Sequence, residues 1–152
     1  MFEPNDAIQA ILDKTPIEGN SCAIHIRRGD YLNLTDYHAV LPIDYYRRAI
    51  DLMKADSYTI FCEDEAYVQT FIANLGLTNV HFQKSGNDLL DWFIMRQHKH
   101  HIIANSSYSW WSSYLAKEDG KRVIAPEKSA WFGPKYKQNN VDDLYLQNWE
   151  LV

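Results

Sequence analysis

Cysteine and long hydrophobic runs are both scarce in this sequence. Only two of its 152 residues are cysteines, and a chain of this length buries enough surface to fold without disulfides or a structural metal. We expect Cys22 and Cys62 to be buried free thiols on neighbouring strands, as in a protein of the reducing cytoplasm. No run approaches the roughly 20 apolar residues of a membrane span. No signal-peptide pattern is present either, so we expect a cytoplasmic protein, free or peripheral to a membrane.

An excess of positive charge is also absent, because the formal net charge is −5. This argues against a nucleic-acid partner. Neither a phosphate-binding P-loop nor a Gly-x-Gly-x-x-Gly fingerprint occurs, which argues against kinases and nicotinamide enzymes. Aromatic residues, in contrast, make up 14% of the chain. Core packing is the simpler explanation for them, and a sugar-binding or partner-binding surface is the alternative.

Short apolar runs alternate with amphipathic stretches along most of the chain. The runs predict five strands, at residues 22–27, 58–62, 80–83, 101–105 and 122–125. Helical spacing predicts four helices between them, with Asp64 and Asn87 as N-caps and Gly76 as a C-cap. This alternation predicts an α/β, Rossmann-like, doubly wound parallel sheet of about five strands with helices on both faces. A receiver-type signalling domain is disfavoured, because the third strand does not end in an aspartate.

The segments around this core are shorter. Residues 1–20 are predicted to form a short helix, at 6–14, and a linker, and residues 21–152 a single domain. The tail, residues 139–152, is predicted to be another short helix or a strand. The link at residues 28–42 is long for a compact domain, and such loops are often functional. Because doubly wound sheets bind ligands beyond the carboxyl ends of their strands, we expect the functional site at that edge.

The end of the first predicted strand carries a group of charged residues. His25 and Arg27 alternate with apolar residues, so they are predicted to share a face. The adjacent Arg27 and Arg28 in an acidic protein indicate a local anionic ligand, because a guanidinium can bind two phosphate oxygens at once. Asp30 is close enough to hold one arginine in place. A plain surface salt bridge between Arg28 and Asp30, without a ligand, is the alternative.

A serine-rich turn follows the fourth predicted strand. Free backbone N–H groups and the positive end of a helix dipole converge at Ser106 and Ser107, which suits a diphosphate. N-capping of the helix by one of these serines is an alternative that is compatible with ligand binding. Trp110 and Trp111 cannot both face the core, so one is expected to pack and the other to cover a ligand or another domain.

Two other features have competing explanations. Asp91, in the first turn of the third predicted helix, is either a partner of the helix dipole or a reader of guanine, whose adjacent N1–H and N2–H groups suit a carboxylate. His98, His100 and His101 offer metal-ligand chemistry. Histidines near a helix C-terminus more often favour its dipole, so no metal site is predicted.

Several blocks of sequence resemble the α-1,2-fucosyltransferases of glycosyltransferase family 11. The stretch His25-Ile26-Arg27-Arg28-Gly29-Asp30-Tyr31 resembles the first signature of that family, His-x-Arg-Arg-Gly-Asp. Asp91 together with residues 102–111 resembles a second signature. Residues 61–64, and 123–126 with 131–132, resemble two weaker blocks. The similarity runs from about residue 21 to residue 132.

The resemblance implies one half of a GT-B-like enzyme, which is built from two Rossmann-like halves. Such an enzyme transfers L-fucose from GDP-β-L-fucose to a glycan hydroxyl, with inversion and without a required metal or cofactor. By motif position, Arg27 would neutralise the β-phosphate of the leaving GDP, with Arg28 and Asp30 supporting the loop. The general base would be Asp30, Asp36 or a carboxylate of the other half.

The resemblance also assigns the remaining contacts of the donor. His25 and Asp91 would contact the nucleoside, and Ser106, Ser107 and Tyr108 would hold the diphosphate. Fixed positive charge at that place would stabilise the negative charge that develops on the departing diphosphate.

The sequence departs from the family in two respects. Family members are about twice this length, so the N-terminal half, which usually contributes acceptor contacts, is expected to be a missing partner. A truncated, non-catalytic nucleotide-sugar-binding module is the alternative. Ser112 and Ser113 stand where the family more often has Gly-Ala, which is expected to change local packing and not the chemistry.

Overall fold

The strands form one open, all-parallel sheet in a computed structural model, which describes residues 2–17 and 19–152. Within these residues the sheet has six strands in the order β3-β2-β1-β4-β5-β6. Their bounds are β1 Ser21–His25, β2 Ser57–Phe61, β3 Val80–Gln83, β4 His100–Ile102, β5 Val123–Ala125 and β6 Glu150–Leu151. The predicted α/β, Rossmann-like class is confirmed, with one strand more than expected.

Helices connect the strands, and their starts follow the capping signals in the sequence. The α-helices of the described residues are α1 Asp6–Leu12, α2 Ile43–Met53, α3 Glu65–Leu75, α4 Asp88–Arg96 and α5 Ser107–Leu115. The side chains of Asp64 and Asn87 accept backbone N–H bonds at the starts of α3 and α4. Gly76 ends α3 with a left-handed backbone, φ 62°. All three predicted caps are confirmed.

The helices cover both faces of the sheet. On one face α2 and α3 pack with residues such as Tyr46 and Phe71 against the central strand residues Ile24 and Ile60. On the other face α1 and α4 form a second apolar cluster, to which α1 contributes Ile8 and Leu12. A third cluster joins β5 to the tail through Trp131 and Trp149. The arrangement is the predicted doubly wound one.

Several boundaries differ from the sequence prediction. The strand β1 ends at His25 and not at residue 27, although the N–H of Ile26 still donates to the carbonyl of Phe61 at 2.9 Å. Arg27 and Arg28 lie outside the strand and lead into a 3₁₀ turn, Gly29–Asn33. The tail, for which a short helix or a strand was predicted, contains a 3₁₀ turn at Asp142–Leu144 and the edge strand β6. The other 3₁₀ turns are Lys128–Ala130 and Pro134–Tyr136.

Two sequence expectations concern features other than secondary structure. Cys22 and Cys62 are free and buried, as predicted; Cys22 lies in β1 and Cys62 directly follows the neighbouring β2. None of the helices in residues 2–17 and 19–152 has the length and apolar character needed to cross a membrane.

Candidate functional site

A cleft of about 500 Å³ opens at the carboxyl edge of the sheet, where β1 to β4 end. This size is typical of small-molecule sites. Seven predicted site residues line it: His25, Arg27, Asp30, Asp91, Ser106, Ser107 and Tyr108. Residues more than 80 positions apart in the chain therefore meet in one cavity at the edge that the topology rule indicated.

Arg27 brings positive charge to this cleft. Its Nη2 donates to Oδ1 of Asp30 at 2.5 Å, and its Nη1 lies 3.5 Å from Oε1 of Glu63. The guanidinium carbon also lies 5.1 Å from the ring centre of Tyr31. Because a guanidinium has five N–H groups, these two carboxylates leave donors available for an anionic ligand.

Arg28 does not line the cleft. Its Nε donates to Oδ2 of Asp64 at 3.0 Å, and its guanidinium stacks 3.7 Å from the ring centre of Tyr67 on α3. The alternative of an Arg28–Asp30 salt bridge is therefore wrong in its pairing, because Asp30 binds Arg27 and Arg28 binds Asp64. Arg28 fastens the turn after β1 to α3, which leaves Arg27 as the arginine of the cleft.

His25 lies between the sheet and α5. Burial and the charge of Arg27 lower the pKa of its imidazole to about 3, so the ring is neutral at pH 7. Its Nδ1 is 2.9 Å from the hydroxyl oxygen of Ser109, and its ring packs against Tyr108 with centroids 5.3 Å apart. His25 therefore shapes the wall of the cleft without adding charge.

The N-terminus of α5 forms the opposite wall. The hydroxyl oxygen of Ser106 accepts from the backbone N–H of Tyr108 at 3.3 Å, so the N-capping alternative is confirmed for Ser106. Ser107 is exposed at the start of the helix. The hydroxyl of Tyr108 donates to the carbonyl of Asp88 at 2.7 Å, and burial raises its pKa. The first turn of α5 is thus tied to α4 beside the cleft.

Asp91 is buried at the end of the cleft near β3. Its Oδ1 accepts from Nε2 of Gln83 at 2.9 Å, and both carboxylate oxygens accept from the backbone N–H of Ser85, at 3.2 and 3.0 Å. The carboxylate therefore already anchors the loop between β3 and α4. Among the residues that the structure describes, Oδ2 accepts one bond, from Ser85, which leaves acceptor capacity on the side chain.

Nine lining residues are not among the predicted site residues, and they include Tyr31, His38, Glu63 and Lys84. Glu63 and Lys84 directly follow β2 and β3, so the rule that ligands bind beyond strand ends is the signal that indicates both. Lys84 is a second cation of the cleft, and its Nζ donates to the carbonyl of Glu63 at 3.2 Å. Cys62 also lines the cleft, but burial raises its thiol pKa to about 11, which keeps it protonated and unreactive.

The long link after β1 forms a further wall of the cleft. Tyr31 and His38 stack with centroids 4.3 Å apart and an interplanar angle of 12°. The hydroxyl of Tyr31 donates to the carbonyl of Asn105 at 3.2 Å. The side-chain amide of Asn105 donates in turn to the carbonyls of Ala39 and Trp131, at 2.8 and 2.9 Å. The predicted functional loop is therefore fixed to the turn before α5.

The tandem tryptophans divide as expected. The indole N–H of Trp110 donates to the carbonyl of Leu144 at 2.6 Å, and the ring joins the cluster of the tail. Trp111 is 50% exposed. It lines an apolar groove with Leu89 and Trp92, and this groove shares Tyr108 with the cleft. What covers Trp111 stays a prediction.

The remaining candidates lie outside the cleft. Asp36 pairs with Nζ of Lys135 at 3.0 Å and is absent from the cleft lining. His98 and His101 are buried, and burial lowers their pKa values to about 4 and about 3. Across residues 2–17 and 19–152, no three His, Cys, Asp or Glu side chains are grouped as a metal site would require.

Known proteins resemble this chain over most of its length. A family model described as Glycosyl transferase family 11 matches residues 8–152. The chain belongs to this family. It is 34% identical over 138 residues to the O-antigen biosynthesis glycosyltransferase WbnK of Escherichia coli, covering 86% of this chain and 44% of that protein. It is 31% identical over 142 residues to an alpha-1,2-colitosyltransferase of Escherichia coli, covering 88% and 48% respectively. The chain thus spans less than half the length of these curated relatives.

Proposed function

We propose that this family 11 domain binds GDP-β-L-fucose and serves as the donor half of an inverting fucosyltransferase of the galactoside α-1,2 type. The observation that carries the proposal is the meeting of Arg27, Lys84 and the N-terminus of α5 in one cleft of about 500 Å³. Two cations and free helix N–H groups attract a diphosphate. The neutral His25 and the ring of Tyr108 provide a less polar wall beside them.

In this proposal Arg27 acts on the leaving group. When the acceptor hydroxyl bonds to the anomeric carbon of fucose, the bond to the β-phosphate oxygen breaks on the opposite face and GDP departs with additional negative charge. A fixed guanidinium stabilises that charge most at the transition state. The positive charge comes from side chains and backbone N–H groups, so the proposed reaction requires neither a metal nor a cofactor.

The proton of the acceptor hydroxyl needs a base. Asp30 lines the cleft, but its carboxylate is paired with Arg27. Asp36 is paired with Lys135 outside the cleft lining. We therefore favour a base on a second half of the enzyme, which would also hold the glycan acceptor. The greater length of the relatives supports a second half.

The proposal assigns guanine recognition to Asp91. The free acceptor capacity of Oδ2 suits the N1–H and N2–H donors of guanine, whereas adenine offers an acceptor at N1. Asp91→Asn turns one acceptor into a donor, so the affinity for GDP should fall. The affinity for IDP, which lacks the 2-amino group, should fall less. Equal binding of GDP and IDP to the unmodified domain would show that Asp91 does not read guanine.

A thermal-shift panel tests the choice of nucleotide. GDP and GDP-fucose should raise the melting temperature more than ADP or UDP, because a ligand at 100 times its Kd adds about 2.7 kcal/mol of stability. EDTA should not change the result. Equal shifts with all nucleotides, or no shift, would contradict the guanine assignment.

Turnover by this domain alone is expected to be slow. Positioning of two reactants can supply roughly 7–11 kcal/mol of a barrier, and a donor half without an acceptor site forgoes much of it. Slow hydrolysis of GDP-fucose is therefore more plausible than transfer. The assay measures GDP release with and without lactose, separates products by mass, and includes a colitosyl donor because one relative is named a colitosyltransferase. Efficient fucosylation by these 152 residues would refute the half-enzyme proposal, and binding without any turnover would favour the non-catalytic module.

A further inference from the structure

Glu63 lies at the end of β2, beside the turn that carries Arg27. Its Oε1 accepts from the backbone N–H of Arg28 at 3.1 Å and lies 3.5 Å from Nη1 of Arg27. Asp30 contacts the other terminal nitrogen, Nη2, at 2.5 Å. Two carboxylates from different parts of the chain therefore bracket one guanidinium.

The backbone of the turn leaves space for this carboxylate. Gly29 has φ 33°, and a Cβ atom there would lie 2.5 Å from Oε1 of Glu63. Real Cβ atoms do not approach oxygen that closely, so a side chain at position 29 would displace the glutamate. Glycine at this position allows Glu63 to reach the backbone of Arg28 and the guanidinium of Arg27 together.

We propose that Glu63 is a positioning residue that fixes the guanidinium of Arg27 toward the nucleotide diphosphate. This inference rests on the proposed function and gives Glu63 a role that the block at residues 61–64 does not assign to it. The side chain of Arg27 is 33% exposed, so without Glu63 its guanidinium has room to move. Holding it in the binding geometry before the ligand arrives removes part of the entropic cost of binding.

Glu63 has two opposing effects on an anion. Its negative charge repels a diphosphate, whereas its contact with Arg27 favours binding. Glu63→Asp separates these effects, because it keeps the charge and shortens the side chain by one methylene, which withdraws the carboxylate from Arg27. Glu65→Asp is the matched control, because Glu65 is an exposed glutamate two residues away in the first turn of α3.

The experiment has two readouts on the whole domain. The first is the mobility of the Arg27 side chain, from ¹⁵N relaxation of its Nε–H group without ligand. The second is the affinity for GDP, by titration of each variant, alone and combined with Arg27→Ala. Glu63→Asp should increase the mobility of Arg27 and lower the affinity for GDP about tenfold, which is the size of coupling expected for residues in contact. Glu65→Asp should change neither quantity.

The double-substitution arm distinguishes positioning from general structural support. If Glu63 acts through Arg27, Glu63→Asp should have little further effect on GDP binding once Arg27 is alanine. An undiminished effect in that background, or unchanged mobility of Arg27, would overturn the proposal. Glu63→Gln, which keeps the length and an acceptor oxygen, serves as the second variant if Glu63→Asp folds poorly. Absence of GDP binding by the unmodified domain would refute the proposed function, while the mobility readout would still decide the role of Glu63.

Discussion

Arg27 and His25 are close neighbours in the cleft, yet one is charged and the other is neutral. The guanidinium lies between two carboxylates near the open part of the cleft, whereas the imidazole is buried and lies near a cation. The same positive charge that would bind a phosphate lowers the pKa of His25. The positive charge is therefore concentrated on the side chain that reaches the open part of the cleft.

Arg27→Ala should remove most of the affinity for GDP and leave the fold intact. Truncation of one partner of a buried charge pair typically costs about 2–5 kcal/mol, and the partial exposure of Arg27 places the expected loss at the lower end. Arg27→Lys should retain only part of the affinity for GDP, because an ammonium group lacks the planar pair of N–H donors of a guanidinium. Calorimetric titration measures both, with Arg47→Ala on the exposed face of α2 as the control. Unchanged affinity in Arg27→Ala would mean that its ion pairs are purely structural.

Ser113 offers a test that is independent of the ligand. It is fully buried in α5, and its hydroxyl has no hydrogen-bond partner within residues 2–17 and 19–152. Ser113→Ala removes that unsatisfied group and also favours the helix, so the free energy of unfolding should rise by about 1 kcal/mol or more. Urea denaturation checks this value. A gain no larger than the roughly 0.5 kcal/mol of helix propensity would show that the hydroxyl is satisfied in solution.

The helix α5 begins at the wall of the cleft. Ser107 and Tyr108 of its first turn line the cavity, and Ser106 both caps the helix and lines the cleft. The hydrogen bond from Trp92 to the carbonyl of Tyr108, at 2.9 Å, fixes this turn to α4. A helix end that is held in this way can accept an anion without rearrangement.

Ser106→Ala should have two effects, one on stability and one on binding. Loss of an N-cap lowers the free energy of unfolding by about 1 kcal/mol. Loss of a hydroxyl in the cleft should also lower the affinity for GDP. Asn5→Ala is the matched control, because Asn5 caps α1 through a bond from the N–H of Ile8, away from the cleft. Urea denaturation and GDP titration of both variants separate the effects. Equal GDP affinities would remove Ser106 from the proposed diphosphate contacts.

The whole molecule buries several neutral histidines, and this determines how it responds to acid. Burial lowers the pKa of His25 and His101 to about 3 and that of His98 to about 4. Below about pH 6.5 the unfolded chain takes up protons that the folded chain cannot. The stability present near pH 7 is therefore lost as the pH falls toward the lowered values.

Stability should decrease with a slope that approaches about 1.4 kcal/mol per pH unit for each of these histidines. Urea denaturation at pH 7, 6 and 5 measures the slope. His98→Leu removes one proton site and should make the slope shallower, whereas His81→Gln, at an exposed position, serves as the control. Stability that is constant between pH 7 and 5 would mean that the histidines are hydrated in the folded protein.

Local patterns in the sequence were enough to predict the elements and the edge at which the cleft lies. Apolar periodicity marked the first five strands, and Asp64, Asn87 and Gly76 marked helix ends, because each of these signals depends on residues only a few positions apart. Chain topology then required the strand ends to meet, which brought His25, Arg27 and Ser106 together as expected. The sequence left the tail undecided between a short helix and a strand, because the two residues of β6 carry too little periodicity.

Only the tertiary structure decided which charged groups pair. The sequence placed Asp30 near both arginines, but the order β3-β2-β1 brings Glu63 and Asp64 from the end of β2 beside the turn after β1. Asp64 pairs with Arg28, which lies outside the cleft lining, and Glu63 lies beside Arg27, which lines the cleft. Such contacts join residues about 35 positions apart, so they depend on the pairing of strands and not on local spacing. The sequence determined that a cationic site exists at this edge, whereas strand order, set by packing across the whole sheet, selected the arginine that serves it.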